Sequence, residues 1–212
     1  MDKTEIIIMS VFGLLVVAGL IAGIRQSAAR QARVRSFAAR RGCTVSATDD
    51  HLNALLAEAF PEETWSTQNV VQVQLPPESA YLFGYTSSGR GRRSTSHGFA
   101  CLAERTQAGR DGPWTICTRT PGIDAMVSDR VQAGGEEFRR EFTVIAKGAE
   151  AAQAAVTTEV QHVLLQHAAA PGWYLTVTIA GSSIMAASSW AQKEDEWEHL
   201  IGLATKLRRA LP

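Results

Sequence analysis

A run of nineteen residues without a charged side chain, Ile6–Ile24, constrains the fold of this chain more than any other feature. As a helix, it would span roughly 28 Å, close to the roughly 30 Å hydrocarbon thickness of a bilayer. A cleaved signal peptide is the main alternative, but signal peptides start with basic residues and have apolar stretches of only about 7 to 15 residues. Here Asp2 and Glu5 outnumber Lys3. The sequence therefore predicts a transmembrane helix over residues 6–24.

The charges that flank this run predict an orientation in the membrane. The chain has 21 basic and 21 acidic side chains, but one lysine precedes the apolar run and six arginines, with no acid, follow it before Gly42. These six are Arg25, Arg30, Arg33, Arg35, Arg40 and Arg41. Because basic residues stay on the cytoplasmic side, we expect residues 1–5 outside and the C-terminal domain in the cytoplasm, at the inner (plasma) membrane. We expect the arginines at the membrane surface, near anionic headgroups, although a solvated helical linker over residues 25–42 explains them equally well.

A second uncharged run, residues 168–192, is long enough to suggest another span, but its pattern indicates a β-hairpin. Apolar and polar residues alternate with a period of two on both sides of Gly181-Ser182, which is typical of two strands joined by a tight turn. With a two-residue turn there, Ile179 lies opposite Ile184, and Trp173 lies opposite Trp190. The sequence therefore predicts a single membrane span.

Residues 43–212 are predicted to form one α+β domain, a mainly antiparallel sheet with helices packed on one face. Strands are predicted at 70–75, 81–86, 98–106, 114–120 and 138–146, and helices at 50–60, 149–167 and 194–211. The strand candidates follow one another without intervening helices, which favours an antiparallel meander over a parallel sheet. Two helical stripes should cover that sheet. They are Val156, Val160, Val163, Leu164 and His167, and Trp197, Leu200, Ile201, Ala204, Leu207 and Leu211.

Three residues form the only candidate metal site, and we rank it below a structural role. Cys101 and Cys117 are symmetric about Gly109, so a hairpin centred there would bring them face to face, with His97 nearby on the same strand. A fourth ligand is not evident, and three cysteines without a C-x-x-C pair predict neither a zinc ribbon nor a disulfide framework. We therefore expect buried structural thiols, and no catalytic residue or cofactor is predicted.

Other polar patterns have simpler explanations than catalysis. The Glu-x-x-His pairs Glu159/His162 and Glu196/His199 resemble di-iron ligands, but on a helical wheel both histidines lie away from the apolar stripes and should face water. His167 shares a stripe and should be hydrogen-bonded and partly buried. Residues 89–93, Gly-Arg-Gly-Arg-Arg, lack the phosphate-binding glycine pattern and favour a loop between strands, with contact to lipid or nucleic acid as the alternative.

Several segments resemble a family of uncharacterised bacterial single-pass membrane proteins with a domain of unknown function. The matching stretches are the apolar run followed by residues 37–42, the Asp50-x-Leu52 helix ending in Phe60, Glu137-Phe138-x-x-x-Phe142-Thr143-Val144, and the hairpin and last helix. The resemblance implies a membrane location and the architecture predicted above, one transmembrane helix followed by an α+β domain. It implies no catalytic or binding residues, because none of the matching motifs is catalytic.

The function predicted from the sequence is a membrane-anchored cytoplasmic accessory or scaffold domain. It would contact the lipid bilayer through residues 6–24 and bind a protein partner or the inner membrane surface. Residues 42–212 carry a net charge of −5, which makes nucleic acid an unlikely ligand. The alternative is a metal-binding or enzymatic module that uses His97, Cys101 and Cys117.

Overall fold

The computed structural model describes residues 3–75, 78–89, 95–104, 113–119, 129–168, 174–189 and 191–211. Within these ranges, the side chains of residues 3–11, 13, 14, 75, 78, 95, 96 and 168 are left out of the description. Residues 90–93 of the predicted Gly/Arg loop, as well as Trp173 and Trp190, lie outside the described residues.

The described residues form helices and the strands of one sheet. The helices are α1 (Lys3–Arg40), α2 (Asp50–Ala59), α3 (Glu136–Glu141), α4 (Ala149–Ala155), α5 (Thr158–Ala168) and α6 (Glu194–Ala210). The strands are β1 (Val45–Ser46), β2 (Glu63–Leu75), β3 (Glu78–Gly89), β4 (Thr95–Glu104), β5 (Trp114–Thr118), β6 (Arg130–Val131), β7 (Phe142–Ala146), β8 (Leu175–Ala180) and β9 (Ser183–Ser188).

All strand pairs in the described sheet are antiparallel, and the strand order is β1-β2-β3-β4-β9-β8-β5-β7-β6. The prediction of an α+β fold with a mainly antiparallel sheet is confirmed. The predicted meander holds for β2, β3 and β4 only, because the β8–β9 hairpin lies between β4 and β5. Sequence spacing did not show this insertion, since it joins strands that are far apart in the chain.

The predicted hairpin is present as β8 and β9. Ile179 lies opposite Ile184, and Ala180 lies opposite Ser183, which is the predicted register. The turn residue Gly181 has a φ of 53°, a left-handed conformation that glycine adopts without the steric penalty a Cβ would bring.

Helices α1, α5 and α6 cover one face of the sheet and enclose the larger core. Every residue of the two predicted stripes is buried. Trp197 of α6 is at the centre, with its ring 5.5 Å from that of Phe37 in α1 and 4.9 Å from that of Phe99 in β4. Its indole nitrogen donates to the carbonyl of Ala191 at 3.3 Å, so the side chain is fully buried without an unpaired donor.

Helix α2 lies on the opposite face, so the prediction that helices pack on one face is wrong. Asp49 caps α2 by accepting a hydrogen bond from the amide of Leu52 at 2.9 Å. Leu52 and Leu56 then pack with Tyr81, Phe83 and Leu102 in a second, smaller core. The central strands are apolar on both faces, and a sheet of that kind needs a cover on each.

The domain begins earlier than the boundary predicted at Cys43. Helix α1 runs without a break from Lys3 to Arg40, and its Val34, Phe37 and Ala38 are buried in the larger core. The chain leaves the helix at Gly42, whose φ is 65°, while the amide of Cys43 donates to the carbonyl of Ala38 at 2.9 Å. Residues 25–40 therefore continue α1, and the C-terminal end of this helix packs into the domain.

The first half of α1 is the part for which a membrane span was predicted. Among the residues that the structure describes, no helix has a stretch both long enough and apolar enough to cross a membrane. The same half exposes large apolar side chains, at Phe12, Leu15, Val16, Val17, Leu20, Ile21 and Ile24. The predicted span stays a prediction.

Two predicted elements are divided in the structure. The strand predicted at 138–146 is the short helix α3 followed by β7, because Phe138 is buried on the helix and only residues from Phe142 pair in the sheet. The helix predicted at 149–167 is interrupted between α4 and α5, where the amide of Val160 donates to the Thr157 hydroxyl oxygen at 3.3 Å. Threonine in this position begins a new helix.

We predict opposite effects for alanine at two glycines. A Cβ on Gly98 would lie 2.5 Å from the carbonyl oxygen of Ser188, a backbone atom of the adjacent strand, so Gly98→Ala should destabilise the fold by roughly 1–3 kcal/mol. A Cβ on Gly202, within α6, meets nothing within 4 Å, so Gly202→Ala should stabilise it by about 0.5–1 kcal/mol. Urea unfolding of the purified chain in detergent, followed by circular dichroism, measures both, and equal effects would contradict the packing described.

Candidate binding groove

The structure does not bring His97, Cys101 and Cys117 together. The alternative prediction of a metal site formed by these three residues is therefore wrong. The order β4-β9-β8-β5 puts three strand spacings, roughly 14 Å along the sheet, between the strands of the two cysteines. Cys101 belongs to the core under the helices, whereas Cys117 lies on the opposite face. His97 is exposed and pairs with Thr86. Among the described residues, no group of three or more His, Cys, Asp or Glu side chains could hold a metal ion.

The thiol chemistry also argues against metal binding at Cys101. The side chain is completely buried, and burial raises the pKa of its thiol to about 12. A thiol must lose its proton to ligate a metal, and a neutral thiol in an apolar site packs as a small hydrophobic side chain. Cys101 is therefore a core residue.

Four of the six arginines predicted at the membrane surface contact the domain itself. Arg40 pairs with Glu194, and Arg41 pairs with Glu198, two acidic residues near the beginning of α6. Arg33 donates to the carbonyl of Gln192 at 3.3 Å. The guanidinium of Arg30 lies 5.9 Å from the ring of Phe99. These contacts join α1 to β4, to α6 and to the segment before α6.

A groove lies on the open face of the sheet, beside α2. Its volume is about 710 Å³, within the range of ligand-binding clefts. Residues from the end of α2 and from β2, β3, β9, β8, β5 and β7 line it. We call this surface the sheet groove.

The sequence forms the sheet groove by placing small side chains between large ones. Ala180, Ser183 and Ala187 form part of the floor, and their short side chains leave space above the sheet. Trp65 and Tyr85 rise beside them from β2 and β3. Because α2 is only ten residues long, it covers the sheet over the second core and leaves this region open.

An aromatic cluster forms one wall of the groove. The rings of Phe60 and Trp65 are 5.3 Å apart, and those of Trp65 and Tyr85 are 5.6 Å apart, both in tilted arrangements. Phe60 and Trp65 are half-buried, so part of each ring faces solvent in the groove, whereas Tyr85 is buried. We call these three residues the aromatic wall.

Hydroxyl groups cover much of the groove floor. The Thr115 and Thr178 hydroxyl oxygens are 3.2 Å apart, within hydrogen-bonding distance across β5 and β8. Thr176 lies further along the same face of β8, and Cys117 donates to the Thr143 carbonyl at 3.7 Å. In β8 these threonines alternate with Val177 and Ile179, which face the helices, so the polar face of the predicted hairpin became the groove floor.

The described side chains that line the groove carry more negative than positive charge. Four of the described lining residues are acidic and one, Lys147, is basic. Three of the acids, Glu58, Glu62 and Glu63, lie at the end of the groove that holds the aromatic wall. Burial and the neighbouring charge of Glu63 raise the pKa of Tyr85, so its phenol is neutral at physiological pH and can donate a hydrogen bond.

A second polar cluster lies between α5 and α6, away from the groove. His167 Nδ1 lies 3.0 Å from His199 Nε2, and Lys206 Nζ lies 3.2 Å from His167 Nε2. The prediction for His167, hydrogen-bonded and partly buried near a helix end, is confirmed. His199 is half-buried rather than facing water, because α6 packs against α5 as well as against the sheet.

His162 is exposed as predicted, and Glu196 accepts hydrogen bonds from the amides of Gln192 and Lys193 at the start of α6.

Protonation of this cluster should destabilise the α5–α6 contact. Burial, the charge of His199 and the charge of Lys206 lower the pKa of His167 from 6.5 to about 4. Burial and the charge of Lys206 also lower the pKa of His199. Because the pKa of each histidine is lower in the folded chain than in the unfolded chain, the unfolded chain takes up the proton first as the pH falls. The contribution of the neutral histidines to stability is therefore complete above about pH 6.5 and is lost as the pH decreases towards 4.

Midpoints of urea unfolding at about pH 7.5, 5.5 and 4.5 test this expectation, because these pH values cover the interval in which the histidines take up protons. His167→Gln should lose less stability than the parent chain between pH 7.5 and 4.5, because Gln does not take up a proton. His162→Gln, at an exposed histidine outside the cluster, is the matched control and should follow the parent. Equal pH profiles for all three proteins would contradict this account of the cluster.

Sequence reasoning missed the groove. Phe60 was recognised only as the end of a helix and Tyr85 only as a strand residue, and Trp65 lay in none of the predicted elements. The alternation of Thr176 and Thr178 with apolar residues did indicate that one face of the hairpin is polar. What the pattern lacked was the strand order, which brings β8 and β5 together with β2 and β3 in one concave surface.

Comparisons with known proteins give a fold relationship. No protein-family description and no curated protein matches the chain, so the resemblance to a family of single-pass membrane proteins stays a prediction. A crystal structure of the mycobacterial trehalose monomycolate transport factor A, TtfA, is similar to it with a TM-score of 0.56 and 15% sequence identity. The alignment covers 86% of this chain and 96% of that one. The two proteins share a fold.

Proposed function

We propose that this chain is a membrane-attached accessory or scaffold protein. Residues 6–24 of α1 lie in the bilayer, and the α+β domain, held rigidly at the other end of the same helix, binds a protein partner on the cytoplasmic side. The observation that carries the proposal is the exposure of large apolar side chains along the first half of α1.

These side chains have no cover in the described chain. Phe12 and Leu15 are each 66% exposed and Leu20 is 63% exposed. At 100° per residue, the seven exposed side chains cover roughly 240° of the helix circumference. An amphipathic helix that docks on a protein has one apolar stripe, whereas a helix that is apolar on most sides is buried in a large core or in a membrane. The bilayer is the environment that fits this distribution.

Helix α1 connects this segment to the domain without a flexible joint. The helix continues from Ile24 to Val34, the first of its buried core residues, over a rise of roughly 15 Å. The ion pairs Arg40–Glu194 and Arg41–Glu198 hold its last turn against α6. The domain would therefore keep one orientation relative to the membrane normal, which suits a scaffold.

An accessory role has support from the groove and from the structural neighbour. The groove can bind a ligand, and its lining residues form none of the nucleophile, base or metal arrangements considered for the sequence. TtfA is named a transport factor, and a role that assists another protein is consistent with that name. Neither observation identifies the partner.

Charged residues in the apolar segment should release the protein from membranes. Val16→Arg together with Leu20→Arg introduces two charges, each costing about 2.5–3.5 kcal/mol at the centre of a span. We expect the parent chain to sediment with membranes and to resist alkaline carbonate, and the double variant to move largely to the soluble fraction. Gln31→Arg with Ala32→Arg, at exposed positions further along α1, is the matched control and should stay membrane-bound. Release of the parent by carbonate would contradict insertion.

The orientation has a separate test. A reporter fused after Pro212 should be active if it functions only in the cytoplasm and inactive if it functions only outside, because the arginines follow the apolar segment. A matched fusion to a chain in which Arg25 and Arg35, the two arginines other than the four that contact the domain, are changed to Glu should give a mixed signal. Activity of the outside reporter alone on the parent chain would reverse the assigned orientation.

A further inference from the structure

We infer that the sheet groove binds an extended basic segment of a partner protein, with an arginine or lysine side chain held between the aromatic wall and the adjacent carboxylates. This inference names the chemistry of the partner in the proposed accessory function, and it rests on that function. Three features of the groove support it, namely ring faces, negative charge and an open hydroxyl-lined floor.

The aromatic wall presents π faces to the groove. Phe60 and Trp65 keep part of each ring in solvent, and Tyr85 holds Trp65 in place from the neighbouring strand. A cation over such a face gains about 0.5–1 kcal/mol where it stays hydrated and more where it is desolvated, and Trp is the strongest of the aromatic partners. Arginine also stacks its planar guanidinium on an aromatic face.

Negative charge lies next to these rings. Glu58 and Glu62 are exposed, Glu63 is half-buried, and all three line the same end of the groove. Lys147, the basic residue among the described lining side chains, follows β7, near the sheet edge opposite β2. The ion pairs recorded in the described chain do not include these three acids, unlike Glu194 and Glu198 at the α1–α6 contact. A basic ligand would supply complementary charge, whereas an anionic lipid headgroup would be repelled.

The remainder of the groove suits an extended peptide better than a small cation. A quaternary ammonium ion would fill only the aromatic end of a cleft of about 710 Å³. The hydroxyls of Thr115 and Thr176, which are half-buried beyond that end, can donate to peptide carbonyl groups, and the short side chains of Ala180 and Ala187 leave space for the backbone to pass. A peptide uses the rings, the carboxylates and the floor together.

Binding of defined peptides to the full chain in neutral detergent micelles tests the inference. The probe is a fluorescent, capped peptide of about eight residues, roughly 26 Å when extended, with arginine alternating with glycine and serine. A second peptide carries glutamine at every arginine position. We expect saturable binding of the arginine peptide by fluorescence anisotropy, weaker at higher ionic strength, and at least tenfold weaker binding of the glutamine peptide. Equal affinities, or no binding of the arginine peptide, would overturn the inference.

Variants locate the site. Glu58→Gln with Glu63→Gln should weaken binding about threefold to tenfold at low salt. Glu150→Gln with Asp195→Asn changes the net charge equally at exposed positions on α4 and α6, and should have little effect. Equal weakening by both pairs of substitutions would mean that binding depends only on the net charge of the protein. That result would contradict the assignment of the peptide site to the groove.

The aromatic wall has its own pair of variants. Trp65→Leu removes the π face and should weaken binding about threefold, whereas Trp65→Phe keeps a ring and should retain most of the affinity. Thermal unfolding of each variant establishes that it is folded, and if Trp65→Leu is not, the Trp65→Phe and carboxylate variants still decide the outcome. Unchanged affinity in the folded Trp65→Leu chain would exclude the aromatic wall. Failure of the peptide to bind leaves the carbonate extraction result untouched, so the two proposals can fail separately.

Discussion

The packing of Trp197 between Phe37 and Phe99 is the contact on which the rest of the structure depends. It joins the first helix α1, the last helix α6 and the central strand β4 at one point, and the whole indole is buried. Burial of a side chain of this size contributes roughly 1.5–3 kcal/mol. Because the partners come from residues 37, 99 and 197, this single contact closes most of the chain into one unit. Helix α1 is thereby part of the domain rather than an attachment to it.

This contact also changes the role of the basic residues after the apolar segment. In the sequence they form a group that points to the membrane surface, but Arg40 and Arg41 pair with acidic residues in the first turns of α6. Those acids are also favoured there by the helix dipole, so one set of charges stabilises both the helix start and the α1–α6 contact. Exposed pairs of this kind each contribute at most about 1 kcal/mol, so they orient the helix more than they hold it.

The two faces of the sheet are covered to different extents. One face is covered by three helices and supplies most of the core, whereas the other is covered by the short α2 over only part of its width. The uncovered part carries small residues, threonines and the aromatic wall, and it forms a groove of about 710 Å³ beside a row of carboxylates. A surface of this composition costs little to leave open, since Thr115 and Thr176 are only half-buried and the carboxylates of Glu58 and Glu62 are exposed to water. The fold therefore offers a binding surface without exposing its core.

The sequence by itself determined the local elements of this protein. The apolar run, the stripes of α5 and α6, the Asp49 cap and the register of the β8–β9 hairpin all depend on residues close together in the chain. Tertiary structure alone decided that the hairpin inserts between β4 and β5, which separates Cys101 from Cys117 and joins Thr178 to Trp65 in one groove. The reason is physical: spacing fixes which face a side chain takes, whereas strand order is set by the burial of whole elements against distant partners such as Trp197.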